Sequence, residues 1–163
     1  MNENSNLPGR GDSMEFKTLD DIIKFAVERE ENAYQLYKTA AQKATSISAR
    51  KMFEEMANEE AGHKTAFERL DIEGAEKYSL ADRPDMKIAE YMVEMPFRDD
   101  MSYPEILRYA MKTEENAYKL YTAAAELTDD PKFKRMLLVL ADIEKGHKQK
   151  IEAVYDERVL TEM

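Results

Sequence analysis

The sequence has no cysteine and no tryptophan, and its 163 residues include only two histidines, five glycines and five prolines. Without cysteine there is no thiol nucleophile, no redox dithiol, no Cys-bound metal cluster and no disulfide. A chain of this length manages without such staples, because a single domain of its size buries roughly 70% of the surface exposed by the unfolded form. A basic block is also missing: 24 Lys and Arg stand against 34 Asp and Glu, for a formal net charge of -10. Nucleic acid and anionic membrane both attract cations, so neither is expected as a partner. No run approaches 18 consecutive apolar residues, and no basic start is followed by an apolar stretch. Neither a membrane span nor a signal peptide is read, and a cytoplasmic location is expected.

What is present is helical. Residues 1–15, beginning MNENSNLPGRGDS, are polar and precede or include a second Met at position 14. They are expected to be a disordered tail or tag remnant, and the Arg10-Gly11-Asp12 triplet within them is read as chance. Thr18 with Asp21 three residues later resembles a capping box and predicts a first helix to about Ala44. Thr45 to Ser48 supplies a turn, and a second helix follows from about Ala49 to Glu73, stopped by Gly74. Ser102, with Pro104 in the first turn, caps a third helix to about Leu127. Asp129 or Asp130, with Pro131, starts a fourth that reaches about Arg158. Two short joins force antiparallel hairpins, at 16–73 and 100–158, while the long connection at 74–101 can run the length of a bundle and hold a short helix. The fold class expected for residues 16–163 is all-α: a four-helix bundle with one crossover, up-down-down-up.

Sliding the sequence on itself reveals one dominant offset, 84 residues. AVEREENAYQLYKTAA at 26–41 aligns with AMKTEENAYKLYTAAA at 110–125, with ten of sixteen positions identical. KMFEEMANEEAGHK at 51–64 aligns with RMLLVLADIEKGHK at 135–148, matching Glu60 to Glu144, Gly62 to Gly146 and His63 to His147. A helical hairpin has been duplicated, so a pseudo-twofold axis is expected, and both histidines of the chain lie in the repeat.

A strict 4-3 spacing places Leu19, Ile23, Ala26, Glu30, Ala33 and Tyr37 on one seam of the first helix, and Phe53, Met56, Glu60, His63 and Phe67 on one seam of the second. The third and fourth helices repeat this around Glu114, Tyr121, Glu144 and His147. Periodicity thus aims four carboxylates and two imidazoles at one interior. Their heights agree, since Thr45 lies midway between Glu30 and Glu60, and Asp129 midway between Glu114 and Glu144, each in a predicted turn.

Four ionised carboxylates in an apolar core are prohibitive, because each desolvated charge costs about several kcal/mol and like charges repel. No Lys or Arg falls on any of the four seams, so the seams do not supply the missing positive charge. Two divalent metal ions would balance four Glu, with His63 and His147 as nitrogen ligands. Carboxylate with imidazole suits iron or manganese, and zinc is compatible with the same donors. A lone Glu-x-x-His is commonplace on an exposed helix face; here it occurs twice, each copy joined by a seam Glu from the preceding helix. Tyr37 and Tyr121, two turns beyond Glu30 and Glu114, are core filler at minimum and are placed to reach a ligand carboxylate. Gly62 and Gly146, costly inside helices, suggest close helix approach beside the site.

The motifs EENAYQLY (30–37), EAGH (60–63), EENAYKLY (114–121) and EKGH (144–147) resemble the ferritin-like di-iron carboxylate proteins, specifically a rubrerythrin-like branch without a rubredoxin domain. The resemblance implies Glu30 and Glu114 as terminal ligands, Glu60 and Glu144 as bridging carboxylates, and His63 and His147 as one nitrogen ligand per iron, with Tyr37 and Tyr121 in supporting roles. It implies two iron ions and reduction of O2 or hydrogen peroxide. Peroxide-reducing members carry a Cys-bound rubredoxin iron, absent here, so an external electron-donor protein is implied. They also carry an extra carboxylate where this chain has Ala117, which favours a more symmetric site. Alternatives are ferroxidation with iron storage, or a bundle that the metal merely stabilises. A homodimer or higher homo-oligomer is expected.

Overall fold

A computed structural model describes residues 18–71, 91, 97–98 and 100–162 of the protein. Four helices account for nearly all of them: α1 (Leu19–Lys43), α2 (Ile47–Glu68), α3 (Tyr103–Leu127) and α4 (Pro131–Glu162). The tail expected at 1–15 and most of the crossover expected at 74–101 lie outside the described residues. α1 packs along α2 and α3 along α4, and the two hairpins meet chiefly through α1 and α3. The result is the up-down-down-up four-helix bundle. Among the described residues, no helix is long and apolar enough to cross a membrane.

The helix starts follow from local chemistry. The Thr18 hydroxyl accepts from Asp21 N at 3.3 Å while Thr18 N donates to the Asp21 carboxylate at 3.0 Å, closing the capping box. Ser102 and Glu105 close a second box at α3, with Pro104 in the first turn where its missing N–H is harmless. Asp130 accepts from Lys132 N and Phe133 N and so starts α4. Three boundaries differ from expectation: α4 runs on to Glu162 instead of stopping near Arg158, and both ends of α2 move. α2 begins at Ile47, because the Ser46 hydroxyl takes the Ala49 N–H at 3.0 Å. It ends at Glu68, with Arg69 and Leu70 bonding back to Thr65 and Phe67, before reaching Gly74.

The buried stripe on α1 is wider than a single seam: Ile22, Phe25, Ala26, Arg29, Glu30, Ala33, Leu36, Tyr37, Ala40 and Ala41 are all buried. A helix that touches two neighbours must bury two adjoining rows. The core falls into two apolar clusters. One holds Leu19, Ile22, Ala26, Phe67, Tyr121, Phe133 and Leu137; the other holds Tyr37, Phe53, Met56, Ile106, Leu107 and Ile151. The four seam glutamates belong to neither cluster and sit, by sequence position, between them on every helix.

The glycines do not mark close helix contact. A Cβ added at Gly62 or Gly146 would meet nothing within 4 Å, so the packing reason expected from the sequence is absent. Gly62→Ala and Gly146→Ala should each stabilise the protein, by up to about 1 kcal/mol, through reduced freedom of the unfolded chain. Urea unfolding of the two variants would show a raised midpoint, and a lowered one would mean that space at these positions is needed.

Candidate metal centre

At the middle of the bundle, Glu30, Glu60, Glu114 and Glu144 are each completely buried, and His147 is 2% exposed. One carboxylate comes from each helix, and the two imidazoles come from α2 and α4, one turn beyond their glutamates. Ligand atoms of Glu30, Glu60, His63 and Glu144 all lie within 4.8 Å of one another, as do those of Glu60, Glu114, Glu144 and His147. Glu60 and Glu144 are common to both groups, as bridging carboxylates must be. The donor set is oxygen-rich with one imidazole nitrogen per group, which suits a divalent first-row metal. Several of these atoms, including Glu30 Oε2, Glu144 Oε1 and His63 Nδ1, are buried without a hydrogen-bond partner. Buried polar atoms converging without partners are what a metal would satisfy. The residues therefore fit two metal ions.

The two tyrosines cross the bundle. Tyr121 donates from its hydroxyl to Glu30 Oε1 at 2.6 Å, and Tyr37 donates to Glu114 Oε1. The pair is reciprocal, each tyrosine serving the glutamate of the other repeat. Burial and then the nearby carboxylates push both phenols well above their usual range, so they remain protonated donors. Tyr37 stacks on Phe53 and Tyr121 packs on Phe67, with ring centroids 6.0 and 5.5 Å apart, which fixes the rings.

A cation that the seams did not reveal lies among the carboxylates. Arg29, only 7% exposed, places Nη1 at 2.8 Å from Glu144, 3.0 Å from Glu60 and 3.3 Å from Glu30, and Nη2 at 3.2 Å from Glu114. The seam argument missed it because position 29 lies on the second buried row of α1, four residues after Phe25 and seven before Leu36. Glu59 was missed too. It is half-exposed on α2, yet its carboxylate meets His147 Nε2 at 2.5 Å.

Charge is shared out accordingly. Burial works to raise Glu30 and Glu114, but the Arg29 guanidinium, together with Glu60 and His63 beside Glu30 and with Glu144 and His147 beside Glu114, outweighs it and both fall to about 2. Burial and neighbouring carboxylates push Glu60 and Glu144 well above the usual carboxylate range. Burial alone would lower His63, yet Glu144, Glu30 and Glu60 around it push it up to about 12. His147 is raised in the same way, chiefly by Glu114. Proton affinity is thus raised at Glu60, Glu144 and the two imidazoles and lowered at Glu30 and Glu114.

The family model for rubrerythrin matches residues 14–100 and 105–163. The chain belongs to the rubrerythrin family. Two solved structures share the bundle. One is described as a ferritin-like diiron-carboxylate protein from Thermotoga maritima, 19% identical with a TM-score of 0.65, covering 86% of this chain and 96% of that one. The other is a hypothetical protein from Pyrococcus furiosus, 23% identical with a TM-score of 0.66, covering 90% of this chain and 93% of that one. At such identities the likeness is one of fold. No curated protein matches the chain. Rubrerythrins and their ferritin-like relatives bind metal, and this member carries a buried carboxylate–histidine cluster at the middle of the bundle.

This rubrerythrin-family centre is not as symmetric as the duplication suggests. Arg29 corresponds to Thr113, whose hydroxyl donates to Ala110 O at 3.0 Å, and Glu59 corresponds to Ile143, which cannot accept a hydrogen bond. Beside Arg29, between α1 and α3, lies a cavity of about 40 Å³. Its lining residues pair at the offset of 84, among them Phe25 with Tyr109, Asn32 with Asn116 and Leu36 with Leu120. The pseudo-twofold axis therefore passes through the cavity.

Tyr121→Phe should weaken metal affinity by about 10- to 100-fold, the usual cost of losing a partner that orients a ligand; a chelator-competition titration would read it, and an unchanged affinity would remove the tyrosine from the site. A pH dependence also follows. The folded protein holds His63 near 12 against roughly 6.5 unfolded, so this stabilisation is complete below about 6.5 and is lost as pH rises toward 12. Metal displaces those protons, so its hold strengthens with pH. Calorimetry from pH 6 to 9 should show the metal-free protein losing thermal stability while the increment added by metal grows; a flat or shrinking increment would contradict this charge arrangement.

Proposed function

We propose that the protein is a non-haem di-iron oxidoreductase that reduces O2 or hydrogen peroxide with electrons from a separate donor protein. The observation that carries this reading is the pair of buried ligand groups sharing Glu60 and Glu144. Two redox-active metal ions held this closely supply one electron each and can together accommodate both oxygen atoms of a small oxidant. Hydrogen peroxide needs two electrons and two protons to give two waters, and O2 needs four of each. The 163 residues contain no cysteine to hold a further iron, so the electrons come from a partner.

The chain's own residues suit such a reaction. Tyr37 and Tyr121 hold the terminal carboxylates Glu114 and Glu30 from the far side of the bundle. The apolar clusters at either end of the centre keep bulk water away. The α1–α3 cavity beside Arg29, about 40 Å³, has room for molecules of roughly the size of water. Iron is favoured over zinc because zinc carries no redox chemistry. Manganese shares the donor preference. A homodimer fits an enzyme of this kind, whereas a shell of many subunits would point instead to iron storage.

Anaerobically reconstituted protein should bind about two irons per chain and, on stopped-flow mixing with O2 and with peroxide separately, oxidise rapidly with at least one of them. Glu114→Ala should slow that oxidation by tenfold or more, as roughly expected for loss of a ligand or its partners. Binding of less than one equivalent, or an unchanged rate in Glu114→Ala, would defeat the proposal.

A further inference from the structure

We propose that α4 carries a self-association surface, centred on Leu138 and Val139, on which a second copy of this chain docks with its own α4 antiparallel. This surface lies outside the metal centre, and it assigns the expected homodimer to one face of the bundle.

Leu138 and Val139 are 46% and 52% exposed, side by side in the N-terminal half of α4. Among the described residues the other exposed large apolar side chains stand at helix ends, Ile47 opening α2 and Val159 and Leu160 closing α4. The duplication supplies a control within the same chain. At the offset of 84, Leu138 corresponds to Glu54 and Val139 to Glu55, both exposed on α2. The same place in the bundle thus accepts two glutamates, so folding does not call for the apolar pair on α4. An apolar pair that the fold does not need and that water disfavours marks a contact surface.

The pair shares a shallow groove with Pro131, Arg135, Asp142 and Ile143. Ile143 also packs against the first apolar cluster, so the patch is continuous with the core. Pro131, Arg135, Leu138 and Asp142 follow one another at steps of four and three residues, the spacing that keeps one helix face against another helix. Arg135 and Asp142 have no ion-pair partner among the described residues. Seven residues apart, they stand about 10 Å from each other along the helix, too far to meet within one copy. About a twofold axis between Leu138 and Val139, an antiparallel α4 of the second copy sets Leu138 against Val139 and Arg135 against Asp142, each contact occurring on both sides of the axis. The patch is thus complementary to itself in apolar surface and in charge.

Other occupants fit less well. Tyr91 and Phe97, from the long connection, lie on the α1–α3 side, where Tyr91 lines the cavity and Phe97 packs on Tyr109 with ring centroids 6.0 Å apart. A partner of one charge sign would meet both a cation and an anion here, whereas a second copy answers each with its opposite. One helix face is smaller than the roughly 800 Å² per partner of a stable interface, so monomer and dimer exchange, with a dissociation constant in roughly the micromolar range. The contact is isologous and is used up by one copy, so this face yields a dimer and no larger particle.

Sedimentation velocity of the full chain over a range of concentrations should show a monomer–dimer equilibrium. Leu138→Glu combined with Val139→Glu, which copies the α2 twin, should weaken dimerisation by about 100-fold, since four like charges then meet across the axis, while circular dichroism keeps its helix content. Arg135→Asp alone and Asp142→Arg alone should each dimerise about tenfold more weakly. An equimolar mixture of these two variants should recover dimerisation, because each copy then offers the charge that the other lacks. Helices that meet antiparallel about this axis produce that recovery, and a merely structural role for either residue does not. Should the apolar variant fail to fold, the mixture decides. A chain that stays monomeric at every concentration, a dimer indifferent to Leu138 and Val139, or charge variants that do not rescue one another would each overturn the proposal.

Discussion

Four carboxylates sealed from water between two apolar clusters cannot all be anions unless positive charge is among them. Everything at the middle of this bundle answers that constraint. Each glutamate leaves water at a cost of about several kcal/mol, and their mutual repulsion adds to it. In the metal-free protein the compensation comes from Arg29 and from the raised proton affinity of Glu60, Glu144 and the two imidazoles. The arrangement is electrically sufficient, yet it leaves converging oxygen and nitrogen atoms without hydrogen-bond partners. A core built only for stability would have put apolar side chains there. A centre that pays this cost is built to hold something.

Duplication explains how so small a chain assembles it. A single hairpin offers one carboxylate, one Glu-x-x-His pair and one tyrosine. Two copies about a twofold axis offer two overlapping ligand groups, and each tyrosine then serves the opposite half, Tyr121 on Glu30 and Tyr37 on Glu114. The cavity on the axis repeats the same pairing in its walls. Symmetry is broken where it bears on the metals: Arg29 corresponds to Thr113, and Glu59 corresponds to Ile143. One half presents a histidine held by Glu59, and the other carries isoleucine at the matching position.

Much of this was legible before the tertiary structure. The caps at Thr18, Ser102 and Asp130 mark where backbone N–H groups need side-chain acceptors, a local matter that four residues decide. The seams through Glu30, Glu60, Glu114 and Glu144 follow from helical periodicity, and the repeat sets them at one height. Other features were not legible. The end of α2 at Glu68 rather than at Gly74 has no strong local marker, since Arg69 and Leu70 close it through the backbone alone. The glycines at 62 and 146 repeat faithfully and yet face open space. Arg29 was read as off the seam because a strict 4-3 spacing assumes one neighbour, whereas α1 is packed on both α2 and α3.

The sequence by itself determined the number of helices, the duplicated hairpin, the absence of thiol chemistry and the residue types gathered at the centre, because periodicity and capping are properties of short segments. Only the tertiary structure decided the charge balance at that centre and the inequality of its halves. A long side chain such as Arg29 can lie against solvent or reach inward with equal local ease, and Glu59 can find His147 only once α2 and α4 are side by side. Both contacts depend on distances between helices that no spacing along the chain encodes.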